Sequence, residues 1–215
     1  MGQLAEKFGI RSAVIPIVVI TSIFFVLQIV MGSNFTNLFL LASEDVFTRP
    51  WILVTHMLVH GSSYHLIFNM WALFLFGILL EQRIGPKRFL LFYLSAGIIA
   101  GFISSFFYER ALGASGAIMG IIGALIILMP ELQLLMFYVV PMPLWLAGIF
   151  YALIDIFGIL FPSGVGNIAH LAGMATGLLY GIKLKKEKKR FYRKIASKTH
   201  LDDEDMEDYL KTGRI

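Results

Sequence analysis

Runs of apolar residues long enough to cross a lipid bilayer dominate this sequence. A helix needs roughly 20 apolar residues to cross the ~30 Å hydrocarbon core, and this length criterion finds six candidate spans. They lie at residues 12–31, 64–81, 88–108, 114–129, 144–160 and 167–183. With 58% hydrophobic and 15% charged residues, the chain holds more apolar surface than one soluble core could bury. The sequence therefore predicts an all-α, polytopic membrane protein, a bundle of six transmembrane helices.

The basic residues predict how these spans are oriented. In the six-span arrangement one side of the membrane carries Lys7, Arg11, Arg83, Lys87, Arg88 and the basic cluster at 183–198, and the other carries Arg49 and Arg110. Because cytoplasmic loops are enriched in Lys and Arg, both termini are expected to be cytoplasmic. The first apolar run lacks a small-residue cleavage motif and is interpreted as a retained signal anchor. We expect a multi-pass protein of the cell membrane.

Two further segments follow from this topology. The connection at 32–63 faces outward, and its segment NFTNLFLLASEDVFTRPW has enough Phe and Leu to lie in the membrane interface. Residues 184–215 change from basic to acidic and are expected to form a charged cytoplasmic tail, with the basic half on anionic lipid. We therefore divide the chain into a membrane domain at 1–183 and a tail at 184–215.

A few polar residues interrupt the apolar spans. Such groups are costly in lipid and by default mark function. They include His65 and Asn69 in the second span, Ser115 at the start of the fourth, Asp155 in the fifth and His170 in the sixth. Because the second, fourth and sixth spans all enter from the outer face, four of these residues are predicted at one depth, about 5–10 Å below the outer surface. They could therefore share one cavity.

These residue types suit acyl transfer. A serine hydroxyl becomes nucleophilic when a neighbouring base accepts its proton, and fixed hydrogen-bond donors must stabilise the oxyanion that forms. Ser115 is the candidate nucleophile and His170 the candidate base. His65 and Asn69, four residues apart on one helix face, are candidate oxyanion donors. Asp155 has two interpretations, a third catalytic member or a structural hydrogen bond.

Glycines surround the serine and recur in the sixth span. Two sets are spaced four residues apart: Gly116 and Gly120, and Gly173, Gly177 and Gly181. Such small faces let membrane helices approach closely, so we expect spans four and six to touch. Close contact there would bring Ser115 and His170 within ~3 Å. Gly113, before the serine, leaves room for a substrate backbone.

Four segments occur in an order that is typical of one family. They are HMLVHGSSYHLIFNM, GILLEQRIGPKRF, GASG and AHLAGMATGLLYG, within residues 45–182. This region resembles the rhomboid intramembrane serine proteases. The resemblance implies a serine endopeptidase that cleaves in or near transmembrane helices of its substrates, with a Ser-His dyad in a water-filled cavity open to the outer face. It implies Ser115 as nucleophile, His170 as base, His65 and Asn69 as oxyanion-hole residues, Gly113 and Gly116 as the nucleophile-flanking glycines, and His60 as an accessory polar residue of the cavity.

Two positions depart from the family's pattern. The family often has Trp-Arg in the outer loop, whereas here Trp51 is followed by Ile52 and Arg49 comes two residues earlier. An aromatic residue that packs on the histidine often stands four positions after the serine, where this chain has Met119. The contacts of the loop and the orientation of the imidazole are therefore expected to differ from the family's.

Three other functions are alternatives to this interpretation. An inactive relative would keep the fold but lose the serine or histidine, and both are present. A zinc protease could use His56 and His60, but the glutamate of an HExxH motif is missing between them. A transporter could use Asp155 as a proton relay, but it would not need a serine at a glycine-flanked helix start. We expect no metal, cofactor or nucleic-acid partner; the expected partners are the lipid bilayer and single-span or other transmembrane substrates.

Overall fold

The structure, a computed structural model, describes residues 12–136, 140–161 and 164–196. These residues are mostly helical. In chain order the helices are α1 (Val14–Met31), α2 (Ser33–Phe39), α3 (Ile52–Thr55), α4 (Ser63–Ile84), α5 (Pro86–Ser104), α6 (Ser115–Leu128), α7 (Leu144–Leu160) and α8 (Asn167–Ala196). Residues Leu73–Gly77 of α4 form a π-helical turn. The predicted tail begins at residue 184, within α8, and its residues 197–215 lie outside the described residues.

Among the described residues, three helices are long and apolar enough to cross a membrane. These are α1, α4 and α5, and two shorter apolar helices, α6 and α7, follow them. Their outward surfaces carry large exposed apolar side chains, such as Ile29 on α1 and Leu153 on α7, as a lipid-facing surface requires. The prediction of a mostly helical membrane protein is confirmed. α5 begins at Pro86, two residues before the predicted start, because proline at the first helical turn sacrifices no hydrogen bond.

In the part of the chain that the structure describes, two short antiparallel strand pairs accompany the helices, and the all-α prediction did not include them. β1 (Leu41–Ala42) pairs with β2 (Arg110–Ala111), and β3 (Gln133–Met136) pairs with β4 (Val140–Pro143). The first pair joins the connection between α1 and α4 to the segment after α5. The second pair lies between α6 and α7. Both pairs involve connecting segments, where the hydropathy pattern of the spans carries no information.

Helix α6 occupies the centre of the bundle. All residues from Gly116 to Leu125 are buried, and the helix packs against α8, α5, α4 and α7. Apolar character alone does not explain this position, since α1 is also apolar and exposes most of its surface. A methyl group added to Gly120 would lie 2.8 Å from the Cβ of Ala96 and 3.3 Å from the carbonyl oxygen of Gly173. The small residues of α6 therefore let α5 and α8 approach it closely.

The connection between α1 and α4 is held by polar contacts to the rest of the protein. The side-chain amide of Gln28 in α1 donates to the carbonyl oxygen of His60 (3.2 Å) and accepts from its backbone N–H (2.9 Å). The Thr55 hydroxyl donates to the carbonyl oxygen of Phe39 (3.0 Å). Arg49, which comes two residues before Trp51, forms an ion pair with Asp45. These contacts position the residues that precede α4.

Candidate active site

Ser115 is the first residue of α6, directly after a backbone turn that requires glycine. Gly113 has a φ of 109°, and a methyl group there would lie 2.5 Å from the His65 ring. Its N–H donates to the carbonyl oxygen of His56 (2.8 Å). A side chain at position 113 would therefore be strained and would also collide with a cavity residue. This turn places the Ser115 side chain in a cavity at the start of α6.

His170 lies in the first turn of α8 and contacts Ser115 directly. The Nε2 atom of His170 lies 2.7 Å from the Ser115 hydroxyl oxygen. The backbones of α6 and α8 are close at this level, since a methyl group on Gly116 would lie 3.3 Å from the carbonyl oxygen of Ala169. The glycine spacing indicated this approach, and it brings two polar side chains of separate apolar helices into hydrogen-bonding distance.

Asp155 of α7 contacts the other nitrogen of the same imidazole. Its Oδ1 atom lies 2.9 Å from Nδ1 of His170. Asp155 is buried, with 4% of its surface exposed. The hydroxyl, the imidazole and the carboxylate therefore form one chain of hydrogen bonds across α6, α8 and α7, which can move a proton from the serine to the histidine.

The two candidate oxyanion donors lie on α4 and line the same cavity as Ser115. α4 begins beside His65 because the Ser62 hydroxyl accepts a hydrogen bond from the His65 backbone N–H (3.1 Å). The Asn69 side-chain amide donates one hydrogen bond to the carbonyl oxygen of His65 (2.7 Å). An amide group has two hydrogens, so the second remains free to donate.

The two histidines that precede α4 have different positions. His56 lines the cavity, whereas His60 lies behind His65, with the two ring centroids 4.9 Å apart. His60 is buried, and within the described part of the chain neither of its ring nitrogens has a hydrogen-bond partner. Burial, and secondarily the neighbouring His65, lowers the pKa of His60 to about 3; burial lowers the pKa of His56 to about 4. Both imidazoles are therefore neutral near pH 7.

The cavity has a volume of about 960 Å³, within the range of small-molecule and substrate sites. Six of the predicted site residues line it: Gly113, Ser115, Gly116, His65, Asn69 and His170. His60, which was expected as an accessory polar residue of the cavity, is not part of this lining. Part of the wall comes from the segment after α5 and the segment that leads into α8. Among the described residues, no group of three or more His, Cys, Asp or Glu side chains is arranged to hold a metal ion.

Sequence reasoning missed two residues that hold the surroundings of the site in place. The Tyr108 hydroxyl accepts a hydrogen bond from the Ile168 backbone N–H (3.3 Å) at the start of α8. Gln28 anchors the backbone of His60 through two hydrogen bonds. Gln28 is a polar residue in an apolar span, so the rule that drew attention to Asp155 would have found it. Tyr108 is the last residue of the predicted span at 88–108, where a tyrosine is ordinary at a membrane interface, so it carries no such signal.

The fold and the site define a class: helical membrane proteins with a serine and a histidine in contact at the starts of neighbouring apolar helices. The chain belongs to the rhomboid family, since the family model described as the Rhomboid domain matches residues 48–187. The recognition made from the motifs is thereby confirmed.

Relatives in plants and bacteria have the same family name. The chain is 35% identical to the RHOMBOID-like protein 6, mitochondrial, of Arabidopsis thaliana over 63% of this chain and 44% of that protein. It is 30% identical to the rhomboid protease GlpG of Haemophilus influenzae over 65% of this chain and 72% of that protein. It is 34% identical to the putative rhomboid protease YdcA of Bacillus subtilis over 66% and 71%. The chain thus spans less than half the length of the Arabidopsis relative and most of the length of the two bacterial ones.

Proposed function

We propose that this protein is an intramembrane serine endopeptidase, which hydrolyses peptide bonds in or near the transmembrane helices of membrane-protein substrates. The observation that carries the proposal is the 2.7 Å contact between Ser115 Oγ and His170 Nε2 in a cavity inside an apolar helical bundle. The names of the two bacterial relatives, which are called rhomboid proteases, support it. A serine and an imidazole in contact have little structural use in lipid, where each costs free energy.

The proposed topology has six spans: α1, α4, α5, α6, α7 and the apolar first half of α8. Both termini then lie in the cytoplasm of a cell-membrane protein, as the distribution of Lys and Arg favours. In this arrangement α4, α6 and α8 all begin at the outer face, and so does the cavity at their starts. Residues 1–183 form the protease domain, and the charged segment 184–215 follows it on the cytoplasmic side.

The first chemical step is acylation of Ser115. Its oxygen attacks the carbonyl carbon of the scissile bond, and the hydroxyl proton moves to Nε2 of His170 as the new C–O bond forms. The carbonyl π electrons move onto the oxygen. The backbone N–H of Ser115, unpaired at the start of α6, then donates to this oxyanion together with the Asn69 amide and the His65 imidazole. His170 next gives its proton to the leaving nitrogen as the C–N bond breaks.

The second step is hydrolysis of the acyl-enzyme. A water molecule attacks the ester carbonyl and gives one proton to Nε2 of His170, and the same nitrogen returns that proton to the Ser115 oxygen as the ester bond breaks. The products are a peptide acid and the restored serine. Water would enter through the outer rim of the cavity near Gly61 and Asn167, so the reaction requires a cavity open to the outer face.

The site also sets the class of substrate. A transmembrane helix hides its peptide bonds within its own hydrogen bonds, so the substrate must unwind near the outer face before it is cut. Gly, Ala, Ser or Pro in the substrate favour unwinding, and the glycines on either side of Ser115 leave space for its backbone. Substrates are expected to enter beside α7, because its buried residues are few: Leu144, Ala147, Gly148 and Asp155. Single-span proteins with small residues near the outer membrane face are the expected partners.

The proposal is tested with the full chain reconstituted in vesicles beside a single-span substrate that carries small residues near its outer end. We expect one cut in that region, located by mass spectrometry, and complete loss of cleavage in Ser115→Ala and His170→Ala. Ser105→Ala is the matched control, because this serine bonds to a carbonyl oxygen of its own helix and lies outside the cavity lining. Cleavage that persists in Ser115→Ala, or a folded wild-type protein that binds the substrate without cutting it, would reject the proposal.

A further inference from the structure

Asp155 is a buried carboxylate in an otherwise uncharged helix, and its observed partner is the imidazole that contacts Ser115. Its Oδ1 atom lies 2.9 Å from His170 Nδ1, and the opposite ring atom, Nε2, lies 2.7 Å from the Ser115 oxygen. We propose that Asp155 is a positioning residue of the site: it fixes the tautomer and the orientation of His170 for proton transfer. This inference rests on the proposed serine-protease function, and it extends the predicted Ser-His dyad by a third member.

Asp155 favours one tautomer of the His170 imidazole. A neutral imidazole carries its proton on one nitrogen, and the base that accepts the serine proton needs a free lone pair on Nε2. An ionised carboxylate only accepts hydrogen bonds, so a proton on His170 Nδ1 is favoured when Asp155 faces it. In the opposite tautomer Nε2 carries the proton and cannot act as the base. The carboxylate therefore selects the reactive form of the imidazole.

Asp155 also restricts the orientation of the His170 ring. An imidazole held at one nitrogen alone can rotate about its side-chain bonds, which lengthens the contact to the serine. His170 is held at both nitrogens, by Ser115 on α6 and by Asp155 on α7. The ring belongs to α8, so three helices define its position. This restriction keeps Nε2 directed at the serine oxygen while a substrate occupies the cavity.

The charge of the Asp155 carboxylate complements the imidazolium that forms on His170 during the reaction. Within α7 the described side chains are apolar or small apart from Asp155, and a carboxylate in such a helix is expensive to bury without a partner. When His170 accepts the serine proton, the imidazolium forms directly beside this carboxylate. The attraction between Asp155 and His170 is then stronger in the transition state than in the resting site. Only an interaction that strengthens in this way raises the rate of the chemical step. A purely structural link between α7 and α8 would not need an ionisable group at this position.

The experiment compares Asp155→Asn with the wild-type protein. The amide keeps the size of the side chain but not its charge. We expect kcat to fall by about 10³- to 10⁴-fold, by analogy with the loss of the acid in serine-protease triads. KM should change less than threefold, and the melting temperature by no more than a few degrees. Thr176→Val is the matched control: it removes a hydroxyl that bonds to the Ala172 carbonyl oxygen on the same helix as His170, and should leave kcat unchanged.

A second measurement keeps the inference separate from the protease proposal. A fluorophosphonate reagent forms an O–P bond with an activated serine and releases fluoride, so its rate of reaction at Ser115 reports the base without any peptide substrate. We expect this rate to fall in Asp155→Asn by a factor similar to that for kcat. If the wild-type protein cleaves no peptide but Ser115 reacts in an Asp155-dependent manner, the protease proposal fails and this inference stands.

Several results would overturn the inference. One is a folded Asp155→Asn variant whose kcat and labelling rate are within threefold of the wild-type values. Another is a change confined to KM and melting temperature, as expected for a structural link between α7 and α8. If Asp155→Asn does not fold, the comparison uses Asp155→Glu, which keeps the charge, and a folded Asp155→Ala. The Glu variant must then be labelled at least ten times faster than the Ala variant, and equal rates would reject a role for the carboxylate. Absence of labelling in the wild-type protein would reject both proposals.

Discussion

The substitution Gly173→Ala should separate the two catalytic side chains without changing either of them. A methyl group on Gly173 would lie 2.8 Å from the carbonyl carbon of Gly116, and it would also collide with the carbonyl oxygen of that residue. Carbon atoms in contact prefer about 3.5–4.0 Å, so α6 and α8 must separate by roughly 1 Å. The 2.7 Å contact between Ser115 and His170 would then lengthen to about 3.7 Å, beyond hydrogen-bond range. We expect kcat to fall by about 100-fold, the cost typical of a 1 Å misplacement.

Stability should change less than activity in this variant. Overpacking of this kind costs about 1–3 kcal/mol, which lowers the melting temperature but leaves the protein folded. The assay combines kcat on a reconstituted single-span substrate with the melting temperature in detergent. Ala175→Val is the matched control, since it adds methyl groups to an exposed position of the same helix and should change neither quantity greatly. A Gly173→Ala protein that is folded and retains more than a third of wild-type kcat would refute the reasoning that the glycine contact sets the Ser–His distance.

Three further predictions concern the site and its immediate surroundings. Asn69→Ala should lower kcat by about 10- to 1000-fold with KM nearly unchanged, because one oxyanion donor is lost; an equal loss in kcat after Asn37→Ala, outside the cavity lining, would contradict that role. Gly113→Ala should lower both the melting temperature and kcat, because a φ of 109° strains a non-glycine residue by about 1–3 kcal/mol and the methyl group meets the His65 ring; unchanged thermal unfolding would show that the turn tolerates a side chain. The contribution of His60 to the free energy of unfolding should be constant above pH 6.5 and should decrease as the pH falls towards 4, because the pKa of His60 is near 6.5 in the unfolded chain and about 3 in the folded protein. His60→Phe should reduce this pH dependence, and an identical melting profile would exclude His60 as its source.

Much of the membrane architecture could be predicted from the sequence because a bilayer imposes a length that local composition reveals. The predicted spans at 12–31 and 64–81 correspond to α1 and α4 within about three residues at each end. The last predicted span, at 167–183, has the correct start, but α8 continues to Ala196. Apolar character ends where the lipid is expected to end, whereas helical hydrogen bonding continues through residues with good helix propensity, such as lysine.

Part of the site could also be predicted from the sequence pattern. Ser115 and His170 stood out because polar groups are costly in apolar spans, and the spaced glycines indicated that their helices touch. Both deductions depend on local sequence and on the depth at which each span begins. The role of Asp155 remained open at that stage because depth does not specify rotation: a residue in the fifth span can face the site, a neighbouring helix or lipid.

The sequence by itself determined the class of protein, its apolar helices and the small set of polar residues within them, because helix length, hydropathy and the cost of buried polar groups act locally along the chain. The tertiary structure alone decided that Asp155 faces His170, that His60 lies behind His65, and that β1 in the connection between α1 and α4 pairs with β2 after α5. These features depend on how each helix is rotated about its axis and on which distant segments meet. Packing against neighbours sets both, through interlocking side chains and the close approach that glycine permits.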